Sequence, residues 1–251
     1  MKKYFISFAN TESNFSSERI IFESKEMGVF DESIFFTEND FDEEFLQSNG
    51  SYFNTYKRGY GYWSWKPYII KKQLEKLDNG DILMYADAGC SFNIKNKAKL
   101  EEWFEIVSKS DTGIFSECFG PYTEYEWTRG DLYEYINKTY NKENINIFDG
   151  TLQCGATSII ICKNEKSVDF INQWYDVMTN HFHLCTDEPS TIPNHPKFKE
   201  NRHDQSVLSL LAKIYKIDYI EAMNGGITDK NNSPIYASRI KNDKKTWKLP
   251  K

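Results

Sequence analysis

The sequence has only five cysteines, Cys90, Cys118, Cys154, Cys162 and Cys185, and no CxxC pair among them. That spacing excludes the common zinc-finger and thioredoxin-like frameworks. With an odd count and no basic-then-apolar leader pattern, the expectation is a reducing cytoplasm and free thiols. No apolar run approaches the ~20 residues that cross a bilayer, so membrane association, if any, is expected to be peripheral. Glycine-rich phosphate loops are missing too. No GxGxxG follows the first strand-like run and no GxxxxGK[ST] occurs anywhere, which disfavours a dehydrogenase and a P-loop NTPase. Net charge is −6, and no dense basic patch precedes the C-terminus, so nucleic acid is not an expected partner.

What the chain does have is aromatic surface. Of its 251 residues, 16 % are aromatic, and part of that is clustered in "GYGYWSWKPYII" rather than spread through the core. Such clusters suit stacking on flat rings such as sugars or bases. Short apolar runs alternate with helical periodicity. Strands are expected at Tyr4 to Ala9, Ser33 to Thr37, "DILMYA", "TGIFS", Thr157 to Cys162 and "IDYIEA". Helices are expected around "SERIIFESKEM", "KPYIIKKQLEKL" and the stripes Leu100/Trp103/Phe104/Val107, Val168/Ile171/Trp174/Met178 and Val207/Leu210/Leu211/Ile214. Pro67 fits a first helical turn and Asn79-Gly80 a stop. This alternation predicts one α/β domain over residues 1–251 with a mostly parallel central sheet flanked by helices. Residues 239–251, including "KNDKKTWK", read as a flexible or peripheral tail.

In such sheets ligands bind at the C-terminal ends of strands, which points to Ser7 to Asn10, Asp87 to Ser91 and Glu117 to Tyr122. Asp87 ends a buried run and is followed by Ala88 and Gly89, small enough for close backbone approach. A carboxylate there can hold a divalent cation against a diphosphate, or it can close an Asx turn on its own backbone. Arg58 and Lys66 can pair with phosphate oxygens, and Tyr60, Tyr62, Trp63 and Trp65 can stack on a ring or pack on the following helix. In "NRHDQSVLSLL", Asn201 can cap a helix and Asp204 suits its first turn, while capping leaves His203 unexplained. Glu117, Glu126 and Asp149 read as surface carboxylates or loop caps that compete for a rim position. His181, His183, Cys185 and Asp187 lack the usual zinc spacing, and "HDQS" is no Ser-His-Asp triad.

Six blocks, "YFISFA", "RGYGYWSWKPYII", "ILMYADAGCSF", "EWTRGDLYEYI", "LQCGATSIIICKN" and "RHDQSVLSLL", together resemble the small bacterial GT-A-type glycosyltransferases of capsule and lipopolysaccharide (O-antigen) assembly. The resemblance runs from about Lys3 to about Ala222. It implies a single GT-A-like (Rossmann-like) domain that moves a hexose from a nucleotide sugar, UDP-galactose or UDP-galactofuranose being the candidates, to a hydroxyl of a polysaccharide or lipid-linked glycan. It implies cytoplasmic work at or near the inner membrane face. It further implies Mn2+ or Mg2+ at an Asp-x-Asp motif, here altered because Gly89 stands where the second acid belongs. On this reading Asp204 is the catalytic base and inversion is the favoured outcome. Asp87 and His203 hold the metal. Ser7, Phe8, Ala9, Arg58, Tyr62, Trp63, Trp65, Lys66, Asp87, Ala88, Gly89, Gln153 and Gly155 hold the donor. The alternatives are a non-catalytic carbohydrate-binding protein and a glycoside hydrolase, which needs two carboxylates about one bond.

Overall fold

The computed structural model describes residues 1–11, 14–221 and 227–239. Its elements, in chain order, begin with β1 (Lys3–Phe8), α1 (Asn14–Met27), β2 (Glu32–Phe36), α2 (Glu43–Thr55), the short turn α3 (Gly59–Tyr62) and α4 (Trp65–Glu75). Then come β3 (Ile82–Ala86), β4 (Ser91–Phe92), α5 (Lys97–Lys109), β5 (Ile114–Thr123), α6 (Glu124–Trp127) and α7 (Gly130–Tyr140). The last are β6 (Leu152–Cys154), β7 (Ser158–Cys162), α8 (Glu165–Asn180), α9 (Asp204–Tyr215), β8 (Asp218–Glu221) and β9 (Ile235–Tyr236).

Seven strands form one mixed sheet in the order β2-β1-β3-β7-β5-β6, with β8 on β5, and β4 and β9 form a separate pair. The parallel pairs are β1–β2, β1–β3 and β5–β8, so five of the seven strands point one way and β6 and β7 run back. The mostly parallel α/β sheet that the alternation predicts is therefore present. β7 is "SIIIC", the most apolar run in the chain, and every one of its residues is buried. A strand covered on both faces carries the same pattern whichever way it points, so its direction was not readable.

Alternate residues of each central strand feed opposite faces of the sheet. Ile6, Leu83, Tyr85, Ile159 and Ile161 join the core under α2, α4, α8 and α9. Phe5, Ile82, Met84 and Ile160 join the core under α1 and α5. α2 was not anticipated, because its buried residues are Phe45, Asn49 and Phe53, a stripe with a polar residue at its centre. Asp42 starts that helix by accepting from the Phe45 N–H at 2.9 Å.

The expectation of free thiols needs correcting at one pair. Cys118 of β5 and Cys154 of β6 are register partners and are joined as a disulfide, while Cys90, Cys162 and Cys185 are free and buried. Thirty-six residues separate the two half-cystines in sequence, and only strand pairing makes them neighbours. No helix among the described residues is long and apolar enough to cross a membrane. The basic tail "KNDKKTWK" lies outside the described residues.

Candidate active site

The aromatic block owes its placement to an unusual backbone. Gly59, Tyr60, Gly61, Tyr62 and Trp63 all have positive φ, between 51° and 77°. The chain thus makes a left-handed turn, closed by Tyr62 N–H to Arg58 O at 2.9 Å and Trp63 N–H to Gly59 O at 3.0 Å. Each non-glycine residue there costs on the order of 1 kcal/mol. The two glycines are required sterically as well. A Cβ at Gly59 would sit 2.4 Å from the Trp63 ring, and one at Gly61 would sit 2.7 Å from Phe53. Stacking offsets the strain: Tyr60 lies on Phe53 at 5.0 Å, and Trp65 lies on Phe8 at 3.9 Å and donates to Gly59 O.

The turn delivers Lys66 into the first turn of α4, where its side chain is buried. Its ammonium meets three oxygens: Asp204 Oδ2 at 2.6 Å, Ala156 O at 3.0 Å and Asp87 Oδ1 at 3.2 Å. Burial alone would push this lysine down. Asp204 and Asp87 outweigh burial and hold it above the ordinary value, so it is charged. Asp87 sits just past the end of β3, its side chain one-third exposed, and accepts from the buried Tyr85 hydroxyl at 2.6 Å. Its carboxyl is therefore turned to the ammonium and the cavity. Asp204, the first residue of α9, is buried, and burial raises its carboxyl to about 6 against the opposing pull of Lys66.

His203 occupies the N-cap of α9 at φ 52° and ψ −117°, a strained conformation for a side chain that caps nothing. Asn201, expected as the cap, instead donates to Leu184 O at 3.4 Å. His203 Nδ1 faces Cys185 O at 2.7 Å, and a carbonyl only accepts, so Nδ1 carries the proton. Burial lowers the ring's pKa, so it is neutral near pH 7. Tyr62 and Trp63 stack on it at 4.5 and 5.7 Å. Its Nε2 has no hydrogen-bond partner and lies 3.5 Å from Asp187 Oδ1. Asp187 also takes the Tyr62 hydroxyl and the Arg58 guanidinium, both at 3.0 Å.

These groups line one cavity of about 150 Å³, bounded by Arg58, Trp63, Lys66, Asp87, Ala156, Thr157, Arg202, His203, Asp204 and Gln205. Four of the sequence blocks meet there. Other expected donor residues lie elsewhere. Ser7 is buried and donates to Ala86 O at 2.8 Å, and Phe8, Tyr62 and Trp65 are core residues. The Ala88 carbonyl accepts from Arg19, and the Gly89 carbonyl from Ser238 and the Arg239 N–H. Ala9 is half-buried just beyond β1. Gln153 is buried beside the cavity and takes the Gln205 side chain at 2.7 Å, while Gly155 is tied to Glu117 O and Ser116 Oγ. Arg202, Thr157 and Gln205 were not singled out. Their short polar signals resemble ordinary loop and cap residues until the fold assembles them.

The other acids separate by burial. Glu117, read as a surface or capping carboxylate, is buried, and burial raises it to about 7. Glu126 pairs with Lys199, and Asp149 is exposed. His181 packs on Tyr135, Asp187 is engaged with Arg58, and no group of three or more metal-ligating side chains occurs among the described residues.

The donor set does not fit a divalent cation. Asp87 Oδ1 takes both the Tyr85 hydroxyl and the Lys66 ammonium, Gly89 supplies no second acid, and the unpartnered Nε2 of His203 is buried and faces Asp187. Hard cations of this kind need several oxygen ligands converging at about 2.0–2.6 Å.

No family model and no curated protein matches this chain. Among solved structures it is similar to a glycosyltransferase involved in the glycosylation of the major capsid of PBCV-1, at 10% identity over 88% of this chain and 81% of that one, TM-score 0.44. It is similar to mouse xyloside xylosyltransferase 1 in its apo form, at 8% identity over 94% and 97%, TM-score 0.47. It is also similar to the galactosyltransferase LgtC in complex with donor and acceptor sugar analogues, at 12% identity over 87% and 73%, TM-score 0.40. Similarities this remote transfer neither substrate nor residue role to this chain.

Proposed function

We propose that the chain is a nucleotide-sugar-dependent glycosyltransferase, a single cytoplasmic domain that adds a hexose to a hydroxyl of a polysaccharide or lipid-linked glycan of the capsule or lipopolysaccharide type. A UDP-hexose is the proposed donor, with galactose in pyranose or furanose form the first to try. The observation that carries this reading is convergence. Blocks around residues 58–66, 87, 156–157 and 202–205, distant in sequence, build one polar cavity with a buried carboxylate, a buried ammonium and two rim arginines.

The chemistry follows from those groups. An acceptor hydroxyl is a poor nucleophile, and a carboxylate within ~3 Å takes its proton as the bond to the anomeric carbon forms. We assign that role to Asp204, whose position in the cavity supports it, and a single base acting by direct displacement inverts the anomeric centre. The departing diphosphate needs cations. Arg58 and Arg202 now pair with Asp187 and Glu200, each about two-fifths exposed. Such surface pairs are worth about 1 kcal/mol or less, so exchange to bidentate phosphate contacts is favourable. Trp63, half-buried at the wall, offers a face for a ring. Asp87, partly exposed, can accept from sugar hydroxyls.

One observation favours glycoside hydrolysis as a second reading: Asp87 and Asp204 both touch one ammonium and are therefore close together. The ammonium fills the gap where the scissile bond would have to lie, which weighs against it. A panel of UDP-, GDP-, CMP- and dTDP-sugars, assayed for slow donor hydrolysis, separates the readings without a known acceptor. Release of nucleoside diphosphate, slowed roughly 10²–10⁴-fold in Asp204→Asn, is expected. Sugar release from an oligosaccharide with no nucleotide present, or no change in Tm at saturating UDP, would sink the proposal.

A further inference from the structure

We propose that the Lys66 ammonium takes the place of the divalent cation in this cavity, so that Asp87 and Asp204 bind no metal ion. An ammonium has three N–H donors and no acceptor. Here it has three oxygen neighbours, Asp204 Oδ2, Ala156 O and Asp87 Oδ1, at 2.6, 3.0 and 3.2 Å, from three separate segments of the chain. The lysine is 2 % exposed, so water has little access to the ammonium itself. A divalent ion bound by the same two carboxylates would stand in contact with this charge, and two cations at that range repel.

Two independent features agree. Gly89 has no backbone reason to be glycine. Its φ lies outside the left-handed region, and a Cβ there would have no atom nearer than 4.0 Å. An acid could be accommodated at this position, and the chain does without it. His203, the other expected ligand, has Nδ1–H bound to Cys185 O and Nε2 directed toward Asp187. The lysine is also fixed from behind. The left-handed turn and the stacked Phe8–Trp65 pair set the start of α4, so the side chain enters from a rigid base. With one ammonium against two carboxylates, compensation for a bound diphosphate falls to Arg58 and Arg202 at the rim.

The test uses the apo protein and MnCl2, read by the electron paramagnetic resonance of free aqueous Mn2+. Wild type is expected to leave that signal undepleted at millimolar Mn2+. Lys66→Ala, which frees both carboxylates, is expected to take up Mn2+ at least tenfold more tightly than wild type, and Asp87→Asn in that background is expected to lose the gain. A folded Lys66→Ala with no such gain overturns the proposal. So does stoichiometric uptake by wild type that Asp87→Asn abolishes, a measurement that decides the matter if Lys66→Ala fails to fold. The consequence for turnover rests on the glycosyltransferase reading: donor hydrolysis should change less than twofold in EDTA. Absence of any turnover would count against that reading and leave the Mn2+ result standing.

Discussion

Arg129 and Lys66 are both buried cations held by carboxylates, and only Arg129 has used up its partners. Arg129 grips Asp131 through two bonds of 2.6 and 2.7 Å and donates to the carbonyls of Glu188 and Pro189 at 2.8 and 3.0 Å. Asp131 in turn accepts from the N–H groups of Leu132 and Thr191. Burial pushes Asp131 up, but Arg129 and Thr191 outweigh it and hold the acid near 2. That network ties the 183–191 segment to α7 and engages the Arg129 guanidinium fully, although a cavity of about 200 Å³ lies beside it. Around Lys66, Asp87 is one-third exposed and His203 Nε2 has no hydrogen-bond partner. Complete satisfaction marks a structural staple, whereas leftover polar capacity in a cavity marks a binding place.

Breaking each cluster should expose the difference. Arg129→Met leaves a buried carboxylate and several carbonyls without donors, and is expected to cost about 3–5 kcal/mol in urea unfolding. Asp204→Asn should reduce donor turnover by roughly 10²–10⁴-fold because it removes the base, and it should also lower the unfolding midpoint, because the buried Lys66 ammonium keeps Asp87 as its one carboxylate partner. In the wild type, turnover should rise with pH through about 6 as that carboxylate forms, and the pH profile is the check.

Glu117 sharpens the contrast from another side. The Ile227 N–H donates to its Oε2, while Oε1 has no partner. Burial raises this acid to about 7, above its unfolded value. As pH rises the unfolded chain therefore sheds the proton first, and the wild type loses stability between about 4.5 and 7, with the full penalty present above 7. Glu117→Gln should accordingly stabilise by about 2 kcal/mol at pH 8 and by almost nothing at pH 5, measured by denaturant unfolding at the two values. The smallest effect is expected at Gly89. With open space around its Cβ, Gly89→Asp should shift stability by less than about 1 kcal/mol.

Legibility in the sequence followed the range of the forces involved. The β3 run and the α4, α5, α8 and α9 stripes were readable because apolar periodicity is local. α2 was hidden by the polar Asn49 in its stripe, and the reversed β7 by being buried on both sides. Asp87, Lys66 and Asp204 were each singled out by local context. Their sharing of one ammonium was not, since it depends on β3, α4 and α9 meeting. Tyr85, one position in an apolar strand, gave no hint that its hydroxyl would hold Asp87.

By itself the chain's composition and pattern determined an α/β sheet, its main helices and a concentration of aromatic and charged residues near a few strand and helix ends. Tertiary structure alone decided that Cys118 meets Cys154, that Asn201 leaves the cap to His203, and that a lysine rather than open space lies between two acids. The physical reason is one of distance. Propensity and periodicity act over a few residues, whereas ion pairs and buried hydrogen bonds join groups whose separation in space the linear order does not contain.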